Sequence, residues 1–195
     1  MNGYRRSSVR PKRRNIQIVV TEGLSESIYL DRIKARFSTL PVHTVNASGG
    51  DVKKLRRECI KLMVDREPKD MLAVVTDMDE KTPEEIAEFN RWCLKNDIEL
   101  YISNPSFEVF LLMHFQEVKG GMSQSDLEDA ITRHTGRKYD KARGINISDD
   151  SVDAALERAG RALRKENDTV GYVSKTPGTT TFHQLVLKIR EKGGK

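Results

Sequence analysis

Three acidic residues follow apolar, strand-like segments and could together bind a metal ion. Glu22 follows residues 16–21, while Asp77 and Asp79 follow residues 71–76. Ligands of parallel sheets collect at the carboxyl ends of the strands, so these carboxylates are expected to meet in one crevice. In extended backbone, Asp77 and Asp79 would share a face. Converging carboxylates repel one another unless a divalent cation lies between them, which predicts Mg²⁺ or Mn²⁺ and phosphoryl transfer or phosphodiester hydrolysis.

The same acids also have an ordinary explanation, because loops are polar and helix starts favour acidic residues. Other phosphate chemistries lack their motifs: the chain has no Gly-x-x-x-x-Gly-Lys-Ser/Thr loop, and no Gly-x-Gly-x-x-Gly follows the first strand. Asp77-Met78-Asp79 resembles a haloacid-dehalogenase motif, but that motif has Thr or Val where this chain has Lys81. It also belongs on the first strand, as do the paired acids of a receiver domain.

Strand-like and helix-like segments alternate along the first half of the chain. Buried strands are predicted at residues 16–21 and 71–76, a weaker strand at 42–46 and a short strand at 99–103. Helix starts lie between them, at Ser25, at the N-cap candidate Asp51 and at Thr82-Pro83-Glu84-Glu85. This alternation predicts an α/β fold, a parallel sheet of about four strands with helices on both faces.

The 195 residues divide by pattern into three parts. Residues 1–14 are expected to be a disordered basic tail, residues 15–120 a metal-binding core, and residues 121–195 a helical extension packed on that core. Helices are predicted at residues 107–115, 124–134, 150–166 and from Phe182 onwards, and a polar loop at 139–148. Together these parts are expected to form one compact domain.

Composition and charge argue against a membrane protein and against a secreted one. Charged residues make up 32% of the chain and no apolar run approaches the roughly 18–20 residues that span a bilayer, so no membrane segment is expected. No apolar segment follows the basic N-terminus, so no secretory signal is expected. Cys59 and Cys93 form no disulfide framework or zinc motif, which favours a cytoplasmic protein.

Charge is distributed unevenly along the chain. The first 14 residues carry six basic side chains and no acid, residues 15–132 carry 14 basic and 21 acidic, and residues 133–195 carry 14 basic and 8 acidic. This pattern suggests a cation-binding centre flanked by phosphate-attracting segments. A strip that could contact a nucleic-acid backbone comprises Arg133, Arg137, Lys138, Lys141 and Arg143. The alternative for the tail and the strip is a simply solvated surface.

The most unusual segment is SNPSFEVFLLMHF, residues 103–115, in which a polar strand end and a proline turn precede an almost wholly apolar helix. Glu108 is the only acid of that helix and lies near its N-terminus, close to the strand ends. It is either a further metal ligand or acid–base group, or a first-turn acid favoured by the helix dipole. His114 closes the helix and is either catalytic or a core histidine.

Taken together, these segments resemble a Toprim (topoisomerase–primase) domain and, more narrowly, the RloB-like family, also called AbiLii-like. The resemblance rests on VVTEGLSESIYL, AVVTDMDE, SNPSFEVFLLMHF and KTPGTTTFHQLV, and covers the chain from about residue 15. Ser106 and Phe110 stand where the family often has Cys and Trp.

The resemblance implies a metal-dependent nuclease that is encoded beside an ATPase (RloA-like or AbiLi-like) in anti-phage and restriction-associated loci. It would make Glu22 a metal ligand or acid–base group, and Asp77 and Asp79 the metal-binding pair. Glu108 joins them as a catalytic candidate, while Glu26, Asn104 and His114 are candidate accessory residues without assigned roles.

Three functions stay open on the sequence. The first is a Mg²⁺- or Mn²⁺-dependent nuclease that cuts DNA or RNA. The second is a non-catalytic subunit that binds nucleic acid or a partner ATPase, although clustered acids beside a phosphate would then have no use. The third is hydrolysis or transfer on a small phosphorylated metabolite, which the basic ends of the chain mildly disfavour.

Overall fold

The computed structural model describes residues 16–37, 41–49, 51–79, 81–163 and 169–193. The basic tail predicted at 1–14 lies outside these residues. The strands of the described part are β1 Gln17–Thr21, β2 Val42–Asn46, β3 Met71–Asp77, β4 Ile98–Asn104 and β5 Thr179–Thr180. Its helices are α1 Leu24–Phe37, α2 Val52–Val64, α3 Pro83–Lys95, α4 Glu108–Leu112, α5 Gln124–Thr135, α6 Asp149–Leu163, α7 Thr169–Lys175 and α8 Phe182–Gly193.

The strands form one sheet in the order β2-β1-β3-β4-β5. Its first four strands are parallel, which confirms the predicted α/β architecture. β5 is antiparallel to β4, with Thr180 opposite Ser103, and was not predicted because two residues carry no periodicity. The likeness to a Toprim domain stays a prediction.

Both faces of the sheet are covered, because alternate residues of the buried strands point to opposite sides. Val19, Ala73 and Val75 pack with apolar residues of α1, α4, α5, α6 and α8. Val20 and Val74 pack with α2, α3 and α7 on the other side. The near-continuous apolar runs of β1 and β3 therefore reflect burial on both faces. The C-terminal part contributes β5 to the sheet and four helices, α5 to α8, to its cover. The division at residue 120 stays a prediction.

The segment 107–115 is less helical than the sequence predicts. α4 covers only Glu108–Leu112, and turns follow it. Its apolar side chains are buried except that of Phe115, which is partly buried. Phe107 and Phe110 pack near Phe182 and Tyr29 with ring centroids 4.8–5.7 Å apart. The segment is thus apolar because it fills the core beneath α1 and α8. No helix of the described residues is long and apolar enough to cross a bilayer.

Helix starts follow the capping signals read from the sequence. The Asp51 side chain accepts a 2.6 Å hydrogen bond from the Lys54 N–H and caps α2. Thr82 and Glu85 form a reciprocal capping box at the start of α3, which fixes where the chain turns after β3.

Replacing Thr82 with alanine is expected to lower the free energy of unfolding by about 1 kcal/mol, because the Glu85 N–H loses its side-chain acceptor. Urea denaturation followed by circular dichroism measures this change. Arg91→Ala, at an exposed position in the middle of the same helix, is the control and should stay within about 0.5 kcal/mol of the unaltered protein. Equal stability of both variants would show that the cap contributes nothing.

Candidate functional site

The carboxyl ends of β1, β3 and β4 meet at one edge of the sheet. Glu22 directly follows β1, and Asp77 is the last residue of β3. The loops after β3 and β4 are tied together, because the Met78 N–H donates to Ser103 (2.8 Å) and the Asp79 N–H donates to Pro105 (2.9 Å). The topology therefore gathers the predicted acids at this edge.

Asp79 does not continue the strand, contrary to the extended geometry expected for the pair. β3 ends at Asp77, and Asp79 has a positive φ of 31° within the following turn. The two aspartates nevertheless line one cavity, because the loop folds back over the sheet edge.

A cavity of about 610 Å³ lies on the α1 side of this edge. All five acids that the sequence singled out line it, which are Glu22, Glu26, Asp77, Asp79 and Glu108. Lys141, Gln124 and Phe107 also line it. The strand-end acids Glu22, Asp77 and Asp79 therefore line one crevice, as predicted, and Glu26 and Glu108 line the same crevice.

The carboxylate of Glu22 is already engaged. It accepts hydrogen bonds from the Thr76 hydroxyl and the Asp77 N–H (3.1 Å), and Lys81 Nζ lies 3.0 and 3.1 Å from its two oxygens. The side chains of Lys81 and Glu22 are only 9% and 13% exposed. Glu22 thus lies among the acids as predicted, and its negative charge is balanced by the ammonium group of Lys81. Its role as a metal ligand stays a prediction.

Three other acids form a buried acid cluster, which consists of Glu26, Asp77 and Glu108. Burial, followed by the charges of Glu26, Glu108 and Glu22, raises the pKa of Asp77 well above its usual value. Burial is also the main reason why the pKa of Glu26 is raised to about 7, with contributions from Glu108 and Glu22. Burial and the charges of neighbouring acids therefore make ionisation of Asp77 and of Glu26 more costly.

Local packing explains how these acids come so close. Gly23 leaves room for the Glu26 side chain, since a Cβ at that position would lie 2.9 Å from Glu26 Oε2. Glu108 is 1% exposed and sits in the first turn of α4. Its Oε1 accepts from the Tyr139 hydroxyl at 3.1 Å and lies 3.5 Å from Lys141 Nζ.

Two carboxylate oxygens of the cluster have no hydrogen-bond partner, namely Asp77 Oδ1 and Glu108 Oε2, and both are buried. Buried, unpartnered carboxylate oxygens are costly, and oxygen donors of this kind suit a hard divalent cation. Within the described ranges, however, no three His, Cys, Asp or Glu side chains are grouped so that they could hold a metal ion. The two unpartnered oxygens, Asp77 Oδ1 and Glu108 Oε2, are nevertheless the kind of ligand atom that Mg²⁺ or Mn²⁺ binds.

Four of the five residues of the predicted basic strip line a second cavity of about 730 Å³, which are Arg137, Lys138, Lys141 and Arg143. Arg133 does not line it and lies in the last turn of α5. We call residues 137–143 the basic loop. Lys141 lines both this cavity and the acidic one, so the two are neighbours.

The side chains of Asn104 and His114 contact other elements of the fold and not the acidic cavity. The Asn104 side chain donates to the Val173 carbonyl (2.8 Å), which ties β4 to α7. His114 Nε2 lies 3.1 Å from the Tyr29 hydroxyl, and burial, followed by the charge of Arg158, lowers its pKa to about 3. It is therefore neutral at physiological pH, as the core-histidine alternative expects. Neither residue lines the acidic cavity.

Two contributors to the site were missed in the sequence. Lys81 stands out in the sequence only as a departure from another motif, because its partner Glu22 is 59 residues away along the chain. Tyr139, whose hydroxyl contacts Glu108 (3.1 Å) and Ser25 (3.2 Å), carried no sequence signal because its loop is over 100 residues from α1.

Fold and site together define an α/β protein with a buried acid cluster at the carboxyl edge of a mostly parallel sheet. A family profile described as RloB-like protein matches residues 17–189, and the chain belongs to this family. Searches of curated proteins and of solved structures returned no match.

Proposed function

We propose that this protein is a Mg²⁺- or Mn²⁺-dependent nuclease that hydrolyses phosphodiester bonds of DNA or RNA in an anti-phage or restriction-associated defence system, together with an ATPase. The observation that supports it most is the pair of buried, unpartnered oxygens of Asp77 and Glu108 beside the basic loop. Membership of the RloB-like family fits the defence context.

Asp77 and Glu108 would hold the cation, with Asp79 at the rim of the same cavity. A bound divalent cation would stabilise charge on phosphate oxygens and favour ionisation of a water nucleophile. The chain's own residues would do the rest: the basic loop binds the polyanion backbone, and Tyr139 orients Glu108 through its 3.1 Å hydrogen bond. Lys81 keeps the Glu22 carboxylate fixed at the edge of the cavity.

A second function has an observation in its favour. Glu22 is paired with Lys81, and no three acidic, histidine or cysteine side chains in the described part are grouped as ligands. Both features would suit a non-catalytic subunit that binds nucleic acid or a partner ATPase.

Cleavage assays separate these two functions. Labelled single- and double-stranded DNA and RNA are incubated with the full chain and Mg²⁺ or Mn²⁺, and with EDTA as the control. The nuclease proposal expects cleavage of at least one substrate with metal and none with EDTA. Binding of nucleic acid without cleavage in every metal would contradict it and support the non-catalytic subunit.

Lys138→Ala is expected to weaken nucleic-acid binding and to reduce the slope of log K against log salt concentration by about one, because one phosphate contact is lost. Lys138 is exposed and lines the basic-loop cavity. Fluorescence anisotropy over a salt series measures the slope. Lys69→Ala is the control, because exposed Lys69 precedes β3 at the opposite edge of the sheet. Equal slopes for both variants would exclude the basic loop as a phosphate-binding surface.

A further inference from the structure

Lys141 occupies the boundary between the two cavities. It lines the acidic cavity of about 610 Å³ and the basic-loop cavity of about 730 Å³. Its Nζ lies 3.5 Å from Glu108 Oε1 and 3.5 Å from Glu128 Oε1, and its side chain is 48% exposed. The ammonium group can therefore be reached from solvent while it contacts a carboxylate in the interior.

The two partners of the contact between Lys141 and Glu108 differ in burial, because the carboxylate is buried and the ammonium group is partly exposed. Glu108 is 1% exposed, and its second oxygen, Oε2, has no partner, so the carboxylate depends on nearby positive charge. A buried carboxylate without a counter-charge is strongly unfavourable. At 3.5 Å the lysine is farther away than in an ideal hydrogen bond, and an exposed ammonium is bound only weakly. Lys141 thus compensates the charge of Glu108 without being fixed there.

The neighbouring cations of the loop are engaged elsewhere. Arg137 donates to the Gly144 carbonyl (3.1 Å), and Arg143 pairs with Asp140 (3.5 Å). Lys138 lines the basic-loop cavity but not the acidic one. Lys141 is therefore the loop residue positioned to respond to events in both cavities.

We propose that Lys141 is an exchangeable counter-ion that couples divalent-cation binding at the buried acid cluster to polyanion binding on the basic loop. This inference rests on the proposed function. A phosphate on the loop attracts the ammonium group away from Glu108, and the released carboxylate then binds the divalent cation more tightly. Because coupling between two sites is reciprocal, the bound cation also strengthens binding of the polyanion. This coupling would keep the affinity of the acid cluster for the divalent cation low until nucleic acid is bound.

Titration of Mn²⁺ into the full chain, by calorimetry or electron paramagnetic resonance, tests the coupling without requiring cleavage. The probe is a short phosphorothioate oligodeoxynucleotide, which resists hydrolysis, at a saturating concentration. For the unaltered protein, the Mn²⁺ dissociation constant should fall about tenfold when the oligonucleotide is present. Lys141→Met should bind Mn²⁺ about tenfold more tightly without the oligonucleotide and respond to it less than about twofold.

Lys138→Met is the matched control, since it removes a positive charge from the same loop without touching the acidic cavity. It should keep the coupling once a higher oligonucleotide concentration restores saturation. If Lys141→Met shows the Mn²⁺ affinity and the oligonucleotide effect of the unaltered protein, the inference is wrong while the metal site stands. If Mn²⁺ binds to neither protein under either condition, the proposed function fails together with the inference.

Discussion

Asp77→Asn is expected to reduce metal-dependent cleavage about 1000-fold, equivalent to about 4 kcal/mol of transition-state stabilisation. Asparagine keeps the shape of the side chain but removes the negative charge that would hold the cation. The unpartnered Oδ1 of Asp77 is buried, so a solvent-exposed acid cannot supply a donor oxygen at the same position. Initial rates on the best substrate from the cleavage assay measure the effect.

Two comparisons distinguish lost chemistry from lost structure. Asp129→Asn makes the same chemical change at an exposed position of α5 and should leave the rate unchanged. The free energy of unfolding of metal-free Asp77→Asn at neutral pH should equal or exceed that of the unaltered protein, because burial disfavours the charged aspartate. A cleavage rate within about threefold of the unaltered protein would rule out Asp77 as a catalytic metal ligand.

The second large effect concerns stability in the absence of metal. The pKa of Glu26 rises from 4.5 to about 7 on folding, mainly through burial. The folded state therefore retains a proton that the unfolded chain has already lost between these pH values. The contribution of Glu26 to the free energy of unfolding is therefore largest below pH 4.5. It falls by on the order of 3 kcal/mol as the pH rises towards about 7. Asp77 shifts in the same direction and adds to the loss.

Urea denaturation in EDTA at a series of pH values measures this dependence. Glu26→Gln is expected to flatten the curve between pH 4.5 and 7, whereas Glu84→Gln, at an exposed position in the first turn of α3, should leave it unchanged. A curve for Glu26→Gln with the same slope as that of the unaltered protein would show that the buried acid cluster does not control stability in this range.

The sheet could be predicted because its strands carry strong local signals. β1 and β3 are continuous apolar runs, and the capping residues Asp51 and Thr82 mark the helices between strands. β5 and α7 could not be predicted, because Thr179–Thr180 is too short to show a period and Thr169–Lys175 is held by tertiary contacts with α3 and β4. Likewise, residues 107–115 look helical, but tertiary packing, not helix propensity, determines their path.

The location of the site could be predicted from the sequence, but the pairing of its charged groups could not. That strands end at one edge follows from topology, so the proximity of Glu22, Asp77 and Asp79 could be predicted. Which acid carries a counter-charge could not, because it depends on where a lysine side chain ends after the loop has folded. Lys81 and Lys141 were therefore assigned no role at the acids they contact.

Anomalous diffraction from crystals soaked in Mn²⁺ shows whether Asp77 and Glu108 bind the divalent cation. A manganese peak is expected within direct coordination distance of Asp77 and Glu108, next to Glu26 and with Lys141 displaced from Glu108. The absence of any peak at these carboxylates under saturating Mn²⁺, with Lys81 and Lys141 still paired to Glu22 and Glu108, would contradict this expectation.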